Sequence, residues 1–205
     1  MPFDSQALVQ QITQLQHDTV ARWHQVDPDN PYDGLMNTVC QQHQFNFLLW
    51  HEEDIARSPE VGDERIAQVK RAIDGYNQNR NDYIERMDEA LLDLLADADV
   101  KPEPGARLNT ETPGSAIDRL SIMSLRIYHM NEQLDRTDVD QLHRQSVGEK
   151  IARCHLQHAD LSQSLVELLD ELKSGEKMLR VYRQMKMYND PSLNPYLYKG
   201  LRKAG

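Results

Sequence analysis

The feature that most constrains this chain is a seam of residues spaced alternately three and four apart: Ile66, Val69, Ile73, Tyr76, Arg80, Tyr83, Met87, Ala90 and Leu94. Such steps keep side chains on one face of an α-helix, whereas a strand would scatter them over two faces. The spacing predicts one long helix from about Asp63 to Ala96. A seam of this kind has to be covered by another helix crossing it at a small angle. The chain must therefore supply partners of similar length. A second seam, Val147, Ile151, Cys154, His158, Leu161, Leu165, Leu168 and Leu172, predicts a helix that Thr137-Asp138 caps and Gly175 stops.

Three further helices follow from shorter patterns. Asp4 or Ser5 caps the first, which places Leu8, Ile12, Leu15, Thr19 and Trp23 on one face. Its Gln-rich remainder suits the bundle surface, and Asp27-Pro28-Asp29-Asn30-Pro31 ends it. The second runs from about Gly34 to Arg57. One of its faces carries Val39, Cys40, His43, Phe47 and Trp50, and the other carries Phe45, Leu48, Leu49, Ile55 and Ala56. A helix apolar on two sides is expected at the centre of a bundle. Thr112-Pro113 starts another, with Leu120, Ser121, Ser124 and Tyr128 on one face and Asp118, Ile122, Leu125 and His129 on a second. The fold class expected is all-α: one antiparallel bundle of about five helices spanning the chain, with residues 176–205 as an ordered C-terminal extension.

Charge and composition narrow the function classes. A net charge of -10 and a pI near 5.2 exclude a general nucleic-acid binder, which needs a basic footprint. The longest apolar run, Phe45 to Trp50, is too short to span a bilayer, so no transmembrane segment is expected. The N-terminus lacks the pattern of a signal peptide, and a cytoplasmic location is expected. Cys40 and Cys154 fall among apolar helix positions and read as buried free thiols. From Glu176 onward the chain holds seven Lys and Arg against two acids, and four of the eight Tyr. This tail is expected to form a short helix through Met187 and then wrap back on the acidic body to bury its aromatics.

The candidate site residues are those that contradict their surroundings. His51-Glu52-Glu53-Asp54 directly follows the dense apolar run, with Glu52 at the angular centre of an apolar face. Arg80 and His158 each interrupt a seam. Such groups resist burial unless paired. Glu52 is expected to meet Arg80, with His158 or His129 nearby. Two readings stay open. One is a structural network that fixes helix register. The other is a pocket for a small anionic ligand held by Arg80, Asn77, Asp118, His129 and His158, with Arg183, Lys186 and Tyr188 reaching in from the tail. Glu52 or His51 would then transfer protons. Glu52, Glu53, Asp54, Glu85 and Asp88 also raise a Mg²⁺-dependent pyrophosphohydrolase. No zinc or di-iron ligand set is read: a Glu-x-x-His pair is missing, and the two cysteines lie far apart. Cofactor and oligomeric state stay unassigned.

Four stretches carry a resemblance. They are Leu49 to Arg57, Asn77 to Asp82, Glu111 to Ser121 (ETPGSAIDRLS), and Tyr182 to Tyr198 (YRQMKMYNDPSLNPYLY). Together they resemble a bacterial family known as domain of unknown function 4254. The resemblance implies no reaction and no catalytic residues. It implies an association with glycosyltransferases of cell-envelope polysaccharide synthesis, and so a non-enzymatic partner or scaffold protein, docking through the tail, as a further alternative.

Overall fold

A computed structural model describes residues 3–201, with side chains left undescribed at 188 and 199–201. The expected helices form α1 (Ser5–Trp23), α2 (Gly34–Arg57), α3 (Asp63–Asp97), α4 (Pro113–Leu134) and α5 (Gln141–Ser174). Their ends follow capping chemistry. Asp4 accepts from the Ala7 N–H at 3.0 Å, and Thr112 accepts from the Ser115 N–H at 3.1 Å just before Pro113. Gly175 closes α5 in the left-handed region, at φ 84°. A Cβ there would also lie 2.6 Å from the Lys101 carbonyl oxygen, so the loop after α3 packs directly on this glycine.

The α2–α3 hairpin and the α4–α5 hairpin are the two largest packing units, and α1 lies against α4, α5 and α2. The helix that packs on all four of the other long helices is α4, not the doubly apolar α2. Its small residues explain this. Gly114 approaches α3 so closely that a Cβ would sit 2.6 Å from the Ile84 carbonyl oxygen, and its N–H donates to Asp88 Oδ1 at 2.7 Å. The main core draws Ile12 and Val20 from α1, Val39 and Phe47 from α2, Met87 and Leu91 from α3, Ile117, Leu120 and Leu125 from α4, and Leu165 and Leu169 from α5. Among the described residues no helix is long and apolar enough to cross a membrane. Cys40 and Cys154 are buried and free, and burial pushes the Cys40 thiol up to about 12.

Three expectations are corrected. The cap of α5 is Asp140, which accepts from the His143 N–H at 2.7 Å, rather than Thr137-Asp138. The segment expected to be helical through Met187 is mostly irregular. It opens as a two-residue strand, β2 (Lys177–Met178), pairing in parallel with β1 (Arg107–Leu108), and holds a single 3₁₀ turn at Met187–Asn189. A short helix, α6 (Pro195–Leu201), follows. The tail does lie on the acidic body: Arg183 reaches Glu85 and Glu89 of α3, and the Gln184 N–H donates to Glu85 at 3.0 Å. Two of its tyrosines are not buried, with Tyr182 56 % and Tyr196 92 % exposed.

The close approach at Gly114 gives a direct test. Gly114→Ala forces apart two backbones that cannot rotate out of the way. We expect a loss of about 2 kcal/mol or more in urea unfolding, the upper range for overpacking. Gly148→Ala, at a helical position with open space around it, should be neutral or slightly stabilising by the same measurement.

Candidate functional site

The middle of the bundle is crossed by a polar layer built from α2, α3 and α4. At its centre is Asp118, whose side chain is 6 % exposed. Arg80 grips it with two parallel bonds, Nε to Oδ1 at 2.7 Å and Nη2 to Oδ2 at 2.5 Å. Gln42 and Asn46, one helical turn apart on α2, donate to the same Oδ1 at 2.6 and 2.9 Å. Asn46 also donates to Ser121 Oγ at 2.8 Å, and Ser121 lies 2.6 Å from His43 Nδ1. The carboxylate thus receives four charge-assisted or amide donors in a largely buried site. Such an arrangement offsets the desolvation of a buried ion pair. The Asp118 contact raises the Arg80 guanidinium above its ordinary value against the opposing effect of burial. His43 is fully buried with the Trp23 ring stacked at 5.2 Å, and burial pulls its imidazole down to about 3.

Arg80 is 25 % exposed and lines a cavity of about 340 Å³. Asn46, Leu49, Trp50, Glu53, Asp54, Arg57, Asn77, Ile122 and Leu125 form the rest of its wall. Arg57 is tied back to Glu53 at 2.6 Å. Asn77 makes no side-chain hydrogen bond within the described protein, so its amide is free for a ligand. Chemically the cavity offers an aromatic wall, two amides, two guanidiniums and two carboxylates.

Of the expected site residues, Arg80, Asn77 and Asp118 come together here. Glu52 does not pair with Arg80. Its nearest cation is Arg65, 3.8 Å away, and one carboxylate oxygen is buried without a hydrogen bond. The hairpin register is the reason. A turn centred near residue 60 places residue 52 opposite about 68 and residue 80 opposite about 40, so Glu52 and Arg80 lie roughly 18 Å apart along the axis. His158 is elsewhere too. It lines a separate cavity of about 280 Å³ between α1, α4 and α5, with His17, His155 and Tyr128, and burial lowers its pKa. Arg183 is held on Glu85 and Glu89, and neither it nor Lys186 lines the Arg80 cavity. The Tyr188 side chain lies outside the described residues.

His51 and His129 meet in a third place, with His24, at the C-terminal end of α1. Ring centroids are 5.1 Å apart for His24–His51, 5.0 Å for His24–His129 and 5.5 Å for His51–His129. Trp50 stacks on His129 at 4.8 Å and Tyr128 on His24 at 4.1 Å. Burial first, then the two neighbouring imidazoles, lowers the His51 pKa. The acidic set that suggested Mg²⁺ does not assemble. Glu53 is bound to Arg57 and Glu85 to Arg183. Asp88 is buried against Gly114, its carboxyl pushed up to about 6 by burial.

Sequence reading missed Gln42, His43, Asn46 and Ser121 as partners of the central pair, and His24 altogether. A signal existed for the first group: polar residues one turn apart, at 42 and 46 and at 118 and 121, within faces that are otherwise apolar.

Fold and site define an all-α bundle with a central arginine–carboxylate layer opening on a cavity. Residues 36–181 match the family described as "Protein of unknown function (DUF4254)", and the chain belongs to that family. No curated protein and no solved structure matches the chain.

Two outcomes follow from the layer. Arg80→Met leaves Asp118 buried and unpaired, at an expected cost of about 3–5 kcal/mol in urea unfolding. Arg80→Met combined with Asp118→Asn removes the charge while keeping an acceptor for Gln42 and Asn46, and should recover a large part of that loss. His43 stays neutral in the folded state and titrates near 6.5 when unfolded. Its contribution is therefore complete above pH 6.5 and is lost as pH falls from 6.5 toward 3. The stability difference between wild type and His43→Gln should be flat above pH 7. Below pH 6.5 it should shrink by up to about 1.4 kcal/mol per pH unit.

Proposed function

We propose that this protein binds a small anionic metabolite, of the sugar-phosphate or nucleotide class, in the Arg80 cavity, and does so in the cytoplasm. The observation that carries the reading is the construction of Arg80. Two of its nitrogens are spent on Asp118, which fixes the guanidinium plane, the third makes no hydrogen bond within the described residues, and the side chain lines a cavity together with the unengaged amide of Asn77. A preorganised guanidinium costs little entropy to use and suits a phosphate or carboxylate oxygen. Glu53 and Asp54 on the same wall suit the hydroxyls of a sugar, and Trp50 offers an apolar face for a ring. A link to cell-envelope polysaccharide synthesis is consistent with such a ligand. No proton-transfer role is assigned: Glu52 faces Arg65, and His51 is not in the cavity wall.

The test is calorimetry with a hexose 1-phosphate, a nucleoside diphosphate and the uncharged hexose. One phosphorylated compound should bind and the uncharged sugar should not. Asn77→Ala should weaken binding about tenfold or more, the cost of one hydrogen bond to a charged group, with thermal stability unchanged. Equal affinity in wild type and Asn77→Ala, or binding of none of the three, counts against the reading.

A second reading rests on the tail. Tyr182, Met185, Met187 and Tyr196 are all more than half exposed on a segment that is also basic. Exposed aromatic and Met side chains of this kind suit a protein partner, and a glycosyltransferase is the partner we favour. A glycosyltransferase that co-purifies with the intact chain and is lost on deletion of residues 179–205 would support it. Retention by the shortened chain would oppose it.

A further inference from the structure

His24, His51 and His129 come from three different helices or helix ends, and their ligand atoms lie within 4.8 Å of one another. We infer that these three imidazoles form a binding site for a divalent transition metal, zinc above others. Among the described residues they are the one group of His, Cys, Asp or Glu side chains placed closely enough to hold an ion.

The hydrogen bonds around the rings decide their tautomers. His24 Nδ1 lies 2.7 Å from the Val20 carbonyl oxygen, which can only accept. Nδ1 therefore carries the proton, and Nε2 carries a lone pair. His129 Nδ1 lies 2.7 Å from Glu132 Oε2, and a carboxylate sets the same tautomer. In both rings the Nε2 atom is buried and has no hydrogen-bond partner. An orphaned buried acceptor costs about 1–3 kcal/mol, and here two point into one small space. Donation of one ring nitrogen to a carbonyl or carboxylate, with the other nitrogen free, is the arrangement of metal-binding histidine.

The surroundings fit the same use. Trp50 and Tyr128 stack on two of the rings, and Phe47 meets His51 edge-on at 4.5 Å. These aromatics restrict ring rotation and keep the space dry. An all-nitrogen set excludes Mg²⁺ and Ca²⁺, which require oxygen ligands, and suits Zn²⁺, Co²⁺ or Ni²⁺. A tetrahedral zinc site holds its nitrogens about 3.3 Å apart, so ligand atoms within 4.8 Å of one another need to close by up to about 1.5 Å. Three protein ligands leave the fourth position open for water or a ligand oxygen, as in zinc sites that act as Lewis acids. The sequence holds a trace of the site: each histidine follows an aromatic residue, in Trp23-His24, Trp50-His51 and Tyr128-His129. The inference does not depend on the ligand proposed for the Arg80 cavity, although Trp50 forms part of both walls.

The experiment uses the full chain, stripped with a chelator and titrated with Zn²⁺ against a chromophoric competitor. Co²⁺ is then bound to record its visible spectrum. We expect one Zn²⁺ per chain with a Kd below about 1 µM, and an intense tetrahedral Co²⁺ band. His51→Ala, at a half-buried ring whose loss leaves the core intact, should weaken binding at least about a hundredfold. Glu132→Gln, which touches only His129, should weaken it about 10–100-fold. His155→Ala, at the other histidine cluster, should leave it unchanged. Circular dichroism checks that each variant is folded, and His24→Gln replaces His51→Ala if that chain is not. Absence of binding at 10 µM, or equal affinity in wild type and the folded ligand variant, overturns the inference.

Discussion

The structure depends on a carboxylate that cannot be left alone. Asp118 sits on the helix that packs on all four of the other long helices, with its side chain only 6 % exposed. An unpaired carboxylate there would cost a large share of the stability of a domain of this size. Arg80 from α3 and Gln42 and Asn46 from α2 must therefore arrive together, and they can do so only in one register of the α2–α3 hairpin on α4. Apolar seams alone tolerate a slip of one heptad, because one leucine replaces another. A four-donor carboxylate does not, and this gives the bundle a single alignment.

That same pair shapes the outer surface. Asp118 uses two of the three guanidinium nitrogens and so fixes the orientation of a side chain that lines a cavity. The structural and the functional readings of Arg80 are thus not rivals: the bonds that fix helix register also preorganise the group a ligand would meet. The histidine cluster is organised differently. Its rings are fixed by a backbone carbonyl, a carboxylate and stacked aromatics, and none of them takes part in the central layer. The two polar sites rest on separate hydrogen bonds and share only the Trp50 ring.

How much of this was legible depends on the range of the contact. The seams through Ile66 and Leu94 and through Val147 and Leu172 predicted α3 and α5 closely, because helical spacing is a local property. Arg80 stood out for the same reason, as the one charge in its seam. Its partner was misassigned. Glu52 has the right charge and faces an apolar layer, but hairpin geometry puts it near Arg65. The turn at Ser58–Gly62 held that information, and counting outward from it separates residues 52 and 80. The basic tail was expected to dock on the acidic body, and Arg183 and the Gln184 amide do so on α3; the expected burial of aromatics does not extend to Tyr182 and Tyr196.

The sequence by itself determined the all-α class, the caps at Asp4, Thr112 and Gly175, the long seams and the residues that break them, because each follows from spacing along one helix. It also determined family membership, through long polar motifs. Only the tertiary structure decided that Arg80 meets Asp118, that α4 rather than α2 is central, and that His24, His51 and His129 share one space. Those outcomes rest on helix register, rotation and side-chain size across three or more helices. A close approach at Gly114 or a turn of five residues sets them, and no periodicity within a single helix records where its neighbours will stop.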